Sequence, residues 1–308
     1  MDKWIMIVNP FSASASNEEK WKKCGNILAE GGLQVEHIIT GRPRHASELS
    51  FKAAVSGIRK FIAVGGDGTV HEVMTGLLRF CDAQGVDMGE FTIGVIPYGT
   101  GNDWIRTALI PKDIEEAARC IVRGNTAKED VVRLTFSNGV FCMANIGGIG
   151  LDADICHYTN KLKQKGHRGR LLYKLAAPYS IFTKKRHPVK IECDGELLYE
   201  GKLFSAVIAN GIYRGGGVKQ NQDGGNWSDG QLELSVMPGV SHIKGVSLMT
   251  HALSGDFAVQ PGIITRRFRK MTVTPLGTPD RVESDGEIPG TTPLTVELTG
   301  QQINIIVP

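Results

Sequence analysis

The chain contains no run of 18 apolar residues, so no membrane-spanning helix is expected. Its opening, MDKWIMIVNP, has neither a basic segment nor a full apolar stretch, and no signal peptide is expected. The six cysteines, at 24, 81, 120, 142, 156 and 193, lie far apart without a CxxC pair. That spacing argues against a disulfide or zinc framework and suits reduced, mostly buried thiols of a cytoplasmic protein. Eight histidines form no HExxH pattern, and GxxxxGK[ST] is absent, which excludes a P-loop NTPase. The net charge of +3 is too small to announce nucleic acid. Repeats, low-complexity segments and long linkers are also missing. What remains is a soluble, globular composition, 41% hydrophobic and 22% charged, over 308 residues, a length ordinary for two domains.

The first part alternates strand and helix. WIMIV, QVEHIIT, KFIAV and FTIGVI read as strands, with helices between them. Asn17 is expected to cap EEKWKKCGNILAE, Asn102 to cap the short helix DWIRTAL, and IEEAARCIVRG to close the series near Gly124. This alternation predicts an α/β domain with a parallel sheet over residues 1–125. After about Asn125 the chain reads as mainly antiparallel β, with a β-sandwich over 126–291. There are hairpins at DVVRLTF-SNG-VFCMANI and VKIEC-DG-ELLYE, further strands at LFSAVIAN, QLELSVM, KMTVTPL, LTVEL and INIIV, the last two beyond 291, and helical stretches near 152–182 and 241–253.

Three loops at strand ends of the first domain carry the chemistry. Asn9-Pro10 follows the first strand, Gly65-Gly66-Asp67-Gly68-Thr69 the third, and Pro97 to Asp103 (PYGTGND) the fourth. After GGDGT, the residues Val70, Val73, Met74, Leu77 and Leu78 recur at helical spacing, so a helix is expected from Val70. A strand-to-helix turn aims backbone N–H groups and a helix dipole into one small space, which suits a phosphate. Asp67 puts a negative charge there, which makes sense if a cation bridges it to phosphate or if it handles a proton. Thr69 and Thr100 add hydroxyls, and Asp67 and Asp103 two carboxylates. Together these suit a nucleotide triphosphate with Mg²⁺. One Gly-rich turn alone would be no more than a tight connection; three in one sheet favour a site.

The motifs VNPFSASAS, GGDGTVHEV and IPYGTGNDWIR resemble the catalytic domain of diacylglycerol and sphingosine kinases, and order and length look most like the soluble bacterial lipid kinases of that group. NIGGIGLDA, NGIYRGGG, WSDGQLEL and VESDGEIP extend the resemblance over nearly the whole chain. It implies an α/β nucleotide domain completed by residues 292–308, a β-sandwich lipid-substrate domain, ATP as phosphoryl donor and a lipid alcohol as acceptor. It places Asn9, Pro10, Phe11, Ser12, Ala13, Thr40, Gly66, Asp67, Gly68, Thr69, Val70, His71, Glu72 and Thr100 on nucleotide positions. Asp229 falls on a structural Mg²⁺ position with backbone carbonyls near Asn226 and Gln231, and Glu287 on the position of the catalytic base. The first loop departs from the family's usual NPxSG followed by Lys or another polar residue: Ala13 in place of the glycine removes backbone freedom, and Ser14 in place of Lys removes a possible phosphate contact.

Read from the residues alone, Asp285-Gly286 and Asp194-Gly195 are hairpin turns, Glu287 is a surface acid, Asp229 sits in a turn into a strand, and His71, like the other histidines, is structural or on the surface. Three basic clusters, at 161–170, 184–186 and 266–270, are solvated faces or sites of peripheral contact with anionic lipid. The readings of function kept open beside a lipid kinase are a kinase of a soluble acceptor such as NAD, and a non-catalytic nucleotide- or lipid-binding regulator. Oligomeric state stays open, with a homodimer through paired sheet edges as one option.

Overall fold

A computed structural model of the protein describes residues 3–12, 18–99, 101–165, 171–220 and 226–308. Ala13, Ser14, Asn17, Thr100, Arg168 and Arg170 lie outside them. The chain forms two compact units, Met1–Val131 with Gly300–Pro308, and Val132–Thr299.

In the first unit β1, β3 and β4 are apolar and buried after their first residue, as suits strands covered on both faces, whereas the edge strand β2, QVEHII, is largely exposed. β1 (Lys3–Val8), β2 (Gln34–Ile39), β3 (Lys60–Gly65) and β4 (Thr92–Pro97) are parallel, in the order β4-β3-β1-β2. The helices are α1 (Glu18–Glu30), α2 (His45–Val55), α3 (Asp67–Gln84), α4 (Asp103–Thr107) and α5 (Ile114–Arg123). Trp4, Met6, Ile62, Val64, Trp21, Leu28 and Ile121 share one core. α5 has the termini its sequence announces. The Asp113 side chain accepts the N–H of Glu115 and Glu116, and Gly124 ends the helix at φ 73°. The register aligns the strand ends, Val8 opposite Val64 and Gly65 opposite Pro97, so the loops after β1, β3 and β4 are neighbours.

α3 begins at Asp67, not at Val70. Gly66 is its N-cap residue, and the N–H groups of Thr69 and Val70 already bond to the Gly66 carbonyl. Hydrophobic spacing marks only the buried face of a helix, and this first turn is small and polar.

β5 (Thr126–Phe136) leads into the second unit, whose strands are β6 (Gly139–Met143), β7 (Ile146–Gly150), β8 (Pro188–Cys193), β9 (Glu196–Ala209), β10 (Tyr213–Arg214), β11 (Val218–Lys219), β12 (Leu232–Pro238), β13 (Ile264–Phe268), β14 (Lys270–Pro275), β15 (Arg281–Ser284) and β16 (Glu287–Thr291). Its helices are α6 (Leu151–Gln164), α7 (Leu171–Thr183) and α8 (His242–Ser254). β9 serves two layers. Its first half pairs with β8, and its second half lies between β7 and β12. The inward residues of these layers, among them Val189, Ile191, Leu203, Leu234, Met271 and Val282, make one sandwich core. β17 (Leu294–Ile306) pairs with β14 through Leu294–Glu297, and with β4 in parallel through Asn304 and Ile305. The parallel α/β sheet and the β-sandwich are thus both present.

Candidate active site

The ends of β1 and β3 are tied together by side chains. Asn9 Nδ2 donates to Thr69 Oγ1 at 3.1 Å, while Asn9 Oδ1 accepts the Phe11 N–H at 3.0 Å. Ser12 Oγ donates to the Asn9 carbonyl at 2.7 Å, folding the described part of the first loop back on itself. Thr40, after β2, is buried, and its N–H bonds to the Val8 carbonyl. Phe11 is 71% exposed, and Pro10 lies in the same turn.

The GGDGT turn and the PYGTGND loop meet backbone to backbone. A methyl group on Gly99 would lie 2.5 Å from Gly66 Cα, and one on Gly66 would lie 3.0 Å from Gly99 Cα. Glycine is required at both positions for the loops to pass this closely. Asp67 then joins them through its carboxylate: Oδ2 accepts the Asp103 N–H at 3.1 Å and Oδ1 the Trp104 N–H at 3.0 Å. Asp67 therefore caps α4. Asn102, the expected cap, is in the left-handed region at φ 51° and makes no side-chain cap bond. Reversing the chain direction through Asn102 aims its side chain away from the N–H groups it would have to accept.

The same device recurs at α2. Its N-cap residue, Arg44, is also left-handed at φ 62° and offers no cap bond. Glu72 of α3 supplies the acceptors, taking the Arg44 N–H at 2.9 Å and the Ala46 N–H at 3.0 Å. Burial pushes the Glu72 carboxyl above the usual carboxylate range, although these two N–H groups pull it down. Val70 and His71, between the two acids, are buried on α3.

Two carboxylates of this unit flank Gly101. A methyl built on Gly101 would lie 3.3 Å from Asp67 Oδ2 and 3.7 Å from Asp103 Oδ2. Arg106 Nε stands 3.6 Å from Asp103 Oδ1, leaving Oδ2 on the Gly101 side. Oxygen donors of this kind fit Mg²⁺, which takes one or two carboxylates together with phosphate oxygens.

In the second unit Asp229, at the expected Mg²⁺ position, is engaged by protein groups. Asp229 Oδ1 accepts the Gln231 N–H at 3.1 Å, and its other oxygen pairs with Arg267 Nη2. The Asn226 carbonyl accepts the Asp229 N–H at 3.3 Å, and Asn226 Oδ1 holds Ser228. The donor types suit a hard cation, but the Arg267 guanidinium already balances the one carboxylate. Among the described residues no group of three or more His, Cys, Asp or Glu side chains could hold a metal ion.

Asp285-Gly286 is a hairpin turn, with φ 53° and 86°, joining β15 to β16. It is also more than that. Asp285 is buried, and its carboxylate accepts three consecutive backbone N–H groups, from Ala144 at 2.9 Å, Asn145 at 2.8 Å and Ile146 at 3.3 Å. Glu287 is exposed at the first position of β16, opposite Ser284. Glu283 keeps part of its surface, but its carboxyl is packed among protein atoms and accepts the Gly286 N–H at 2.7 Å. Burial pushes it well above the usual carboxylate range; Asp285 and Asp152 add to the rise, while the Gly286 N–H and Arg214 oppose it. The buried Cys156 thiol donates to the Gly286 carbonyl at 3.2 Å and is itself raised, first by burial and then by Glu283 and Glu287.

A model of the diacylglycerol kinase catalytic domain matches residues 3–134, and one of the YegS C-terminal NAD kinase beta sandwich-like domain matches residues 146–307. The chain belongs to the diacylglycerol kinase catalytic-domain family. It is 28% identical over 306 residues to the diacylglycerol kinase of Bacillus subtilis (strain 168), covering 98% of this chain and 95% of that one. A crystal structure of a diacylglycerol kinase from Bacillus anthracis str. Sterne shares its fold at a TM-score of 0.72 and 23% identity, over 100% of this chain and 97% of that one. An NAD kinase from Archaeoglobus fulgidus, solved in complex with ATP, is similar in fold alone, with a TM-score of 0.52 and 13% identity over 98% and 93% of the two chains.

For this member of the diacylglycerol kinase family the basic clusters do not form three equivalent cationic faces. Lys184 is buried, 2.9 Å from Asp280 Oδ1 and 3.3 Å from Asp154 Oδ2, with His187 also on Asp280. Arg266, Arg267 and Lys270 each face a carboxylate, of Glu196, Asp229 and Glu297 respectively. Lys161, Lys163, Lys165 and Lys185 are exposed. Sequence reasoning missed Asp285, Glu283 and the buried Glu129 that accepts the Trp104 indole N–H at 3.1 Å. The acids at 283, 285 and 287, spaced by two, were the available signal for the first pair. Glu129, 25 residues from its partner, left none.

Proposed function

We propose that the protein transfers the γ-phosphoryl group of ATP to a hydroxyl group of a lipid. The observation that carries this reading is the joining of GGDGT to GTGND, with Asp67 bonded to the N–H groups of Asp103 and Trp104 beside the Gly66–Gly99 crossing. Membership of the family and the name of the Bacillus subtilis relative support lipid as the acceptor class and diacylglycerol as the first acceptor to test.

The loop from Asn9, the residue Thr40, the turn Gly65–Glu72 and the residues Thr100 and Asn102 hold the nucleotide in this reading. Asp67 and Asp103 hold Mg²⁺, each with an oxygen directed toward Gly101. The ion supplies charge neutralisation on the phosphates. Glu287 accepts the proton of the lipid hydroxyl as its oxygen bonds to phosphorus and the bond to the departing ADP oxygen breaks. Its exposure leaves it open to an incoming group.

The test is ADP release with ATP and Mg²⁺ in the presence of detergent micelles containing diacylglycerol, with NAD as the competing acceptor. Lipid-dependent release with a phosphorylated lipid product is expected. Release stimulated by NAD and not by lipid would replace the acceptor class. Tight ATP binding with no turnover on any acceptor would make the protein a nucleotide-binding regulator.

A further inference from the structure

Two acid-free stretches of sequence carry a group of exposed apolar side chains in the second unit. Between Asp154 and Glu192 there is no Asp or Glu and there are ten Lys and Arg; between Glu233 and Asp256 there is again no acid. α7 lies in the first stretch and α8 in the second.

Both helices turn one face into a shared core, where Ile181 and Leu248 pack with Phe204 and Phe257. Their outer faces are apolar as well. Tyr179 is 52% and Phe182 63% exposed on α7, and Ile243 is 84% and Val246 40% exposed on α8. Each pair is spaced three residues apart and so shares a helix face. The Phe182 ring is 6.2 Å from that of His242, the residue before Ile243, which makes the two faces continuous. Tyr179 stacks on Tyr158 of α6 at 4.4 Å, which fixes that end of the patch. Lys185 and Lys244, both exposed, stand next in sequence but two to Phe182 and next to Ile243.

Exposed large apolar groups framed by cations mark a surface that meets an apolar, anionic partner. We propose that the outer face of α7 and α8 docks on an anionic lipid bilayer, with Phe182 and Ile243 entering the acyl boundary and Lys185 and Lys244 meeting headgroup phosphates. The choice of occupant follows from charge. A second copy of the chain would set one acid-free cationic face against another, whereas anionic headgroups complement both. The proposal deepens the lipid-kinase reading and rests on it for its purpose, but its test does not depend on turnover.

The experiment is sedimentation of the full chain with vesicles of phosphatidylcholine alone and of phosphatidylcholine with 30% phosphatidylglycerol, a composition chosen at roughly the anionic content that gives a usable surface potential. The wild type should bind the anionic vesicles and lose binding as salt rises. F182Q/I243Q should weaken binding at least about tenfold, the order expected when large apolar side chains no longer leave water. K185Q/K244Q should weaken it by about fivefold per cation. Both variants should phosphorylate detergent-dispersed diacylglycerol as the wild type does. Absence of vesicle binding by an enzyme that phosphorylates dispersed lipid overturns the docking face and leaves the kinase reading standing. Vesicle binding lost in F182Q/I243Q, in a protein with no lipid turnover, supports the docking face and removes the kinase reading. Wild-type dimers that become monomers in F182Q/I243Q, without vesicle binding, identify the patch as a subunit contact and overturn the proposal.

Discussion

Replacing Asp67 by Asn separates a carboxylate that organises two loops from one that serves a metal alone. In the wild type both carboxylate oxygens accept a backbone N–H at the start of α4, at 3.0 and 3.1 Å. Asn keeps one acceptor oxygen and turns an NH₂ group toward the other N–H. One charge-assisted bond is lost, the second becomes neutral, and a backbone donor faces a donor. A hydrogen bond to a charged group contributes about 1.5–3 kcal/mol, so with Asp67 only half-buried a loss of about 2 kcal/mol is expected. At about 2–4 °C per kcal/mol for a unit of this size, the melting temperature should fall by about 4–8 °C. The assay is calorimetry in EDTA without nucleotide, so that no metal contributes to either protein. Turnover, measured separately with Mg²⁺ and ATP, should nearly vanish. Identical melting of Asp67→Asn and wild type in EDTA would refute the structural role, and an active Asp67→Asn enzyme would remove Asp67 from the chemistry.

Three further outcomes are expected. Glu287→Gln should lower lipid turnover by about a hundredfold, the low end of general-base assistance, while its exposure leaves the melting temperature unchanged; turnover within a few-fold of wild type places the base elsewhere. Asp229→Ala removes an exposed ion pair with Arg267 and should cost no more than about 1 kcal/mol, with EDTA leaving the wild-type melt unaltered; a melt that EDTA lowers in wild type but not in the variant would restore Asp229 as a metal ligand. Because burial raises the folded pKa of Glu283 above its unfolded value, its contribution to stability is present below the unfolded pKa and lost as pH rises through the folded one. Glu283→Gln keeps the acceptor for the Gly286 N–H and does not ionise, so its melting temperature relative to wild type should climb with pH; a constant difference from pH 4 to 8 counts against the buried carboxyl.

What was legible in the sequence was whatever the chain announces locally. Apolar runs marked most strands of the parallel sheet, Gly124 ended α5, and Asp194-Gly195 and Asp285-Gly286 turned hairpins in the left-handed conformations that such pairs favour. The caps of α2 and α4 were not legible, because Glu72 and Asp67 lie 28 and 36 residues from the N–H groups they accept. β7, IGGIG, is three-fifths glycine and shows no strand alternation. Its glycines answer to neighbours far away in sequence, since a methyl on Gly147 would lie 2.9 Å from the Glu283 carbonyl oxygen and one on Gly148 2.6 Å from Asp152 Cβ. Lys184 shows the same limit for charge. In sequence it is one of three consecutive cations, and its burial against Asp280 and Asp154 depends on partners 96 and 30 positions away.

The carboxylate inside a phosphate-type turn was the puzzle of the GGDGT motif, and the helix geometry of α3 resolves it. Asp67 and Glu72 are five residues apart, about 140° around a helix at 3.6 residues per turn, so they leave α3 on different sides. On each side stands a helix whose own N-cap residue, Asn102 or Arg44, is left-handed and contributes no acceptor. Both acids are thereby engaged with the positive ends of neighbouring helices, which lowers the cost of negative charge there. α3 thus sets the position of the loops on either side of it before any ligand arrives: Gly41–Arg44 through Glu72, and Gly99–Asp103 through Asp67. A carboxylate at position 67 is then compatible with phosphate nearby for a reason independent of metal. Its charge is shared with α4, and one of its oxygens lies on the Gly101 side of the loop.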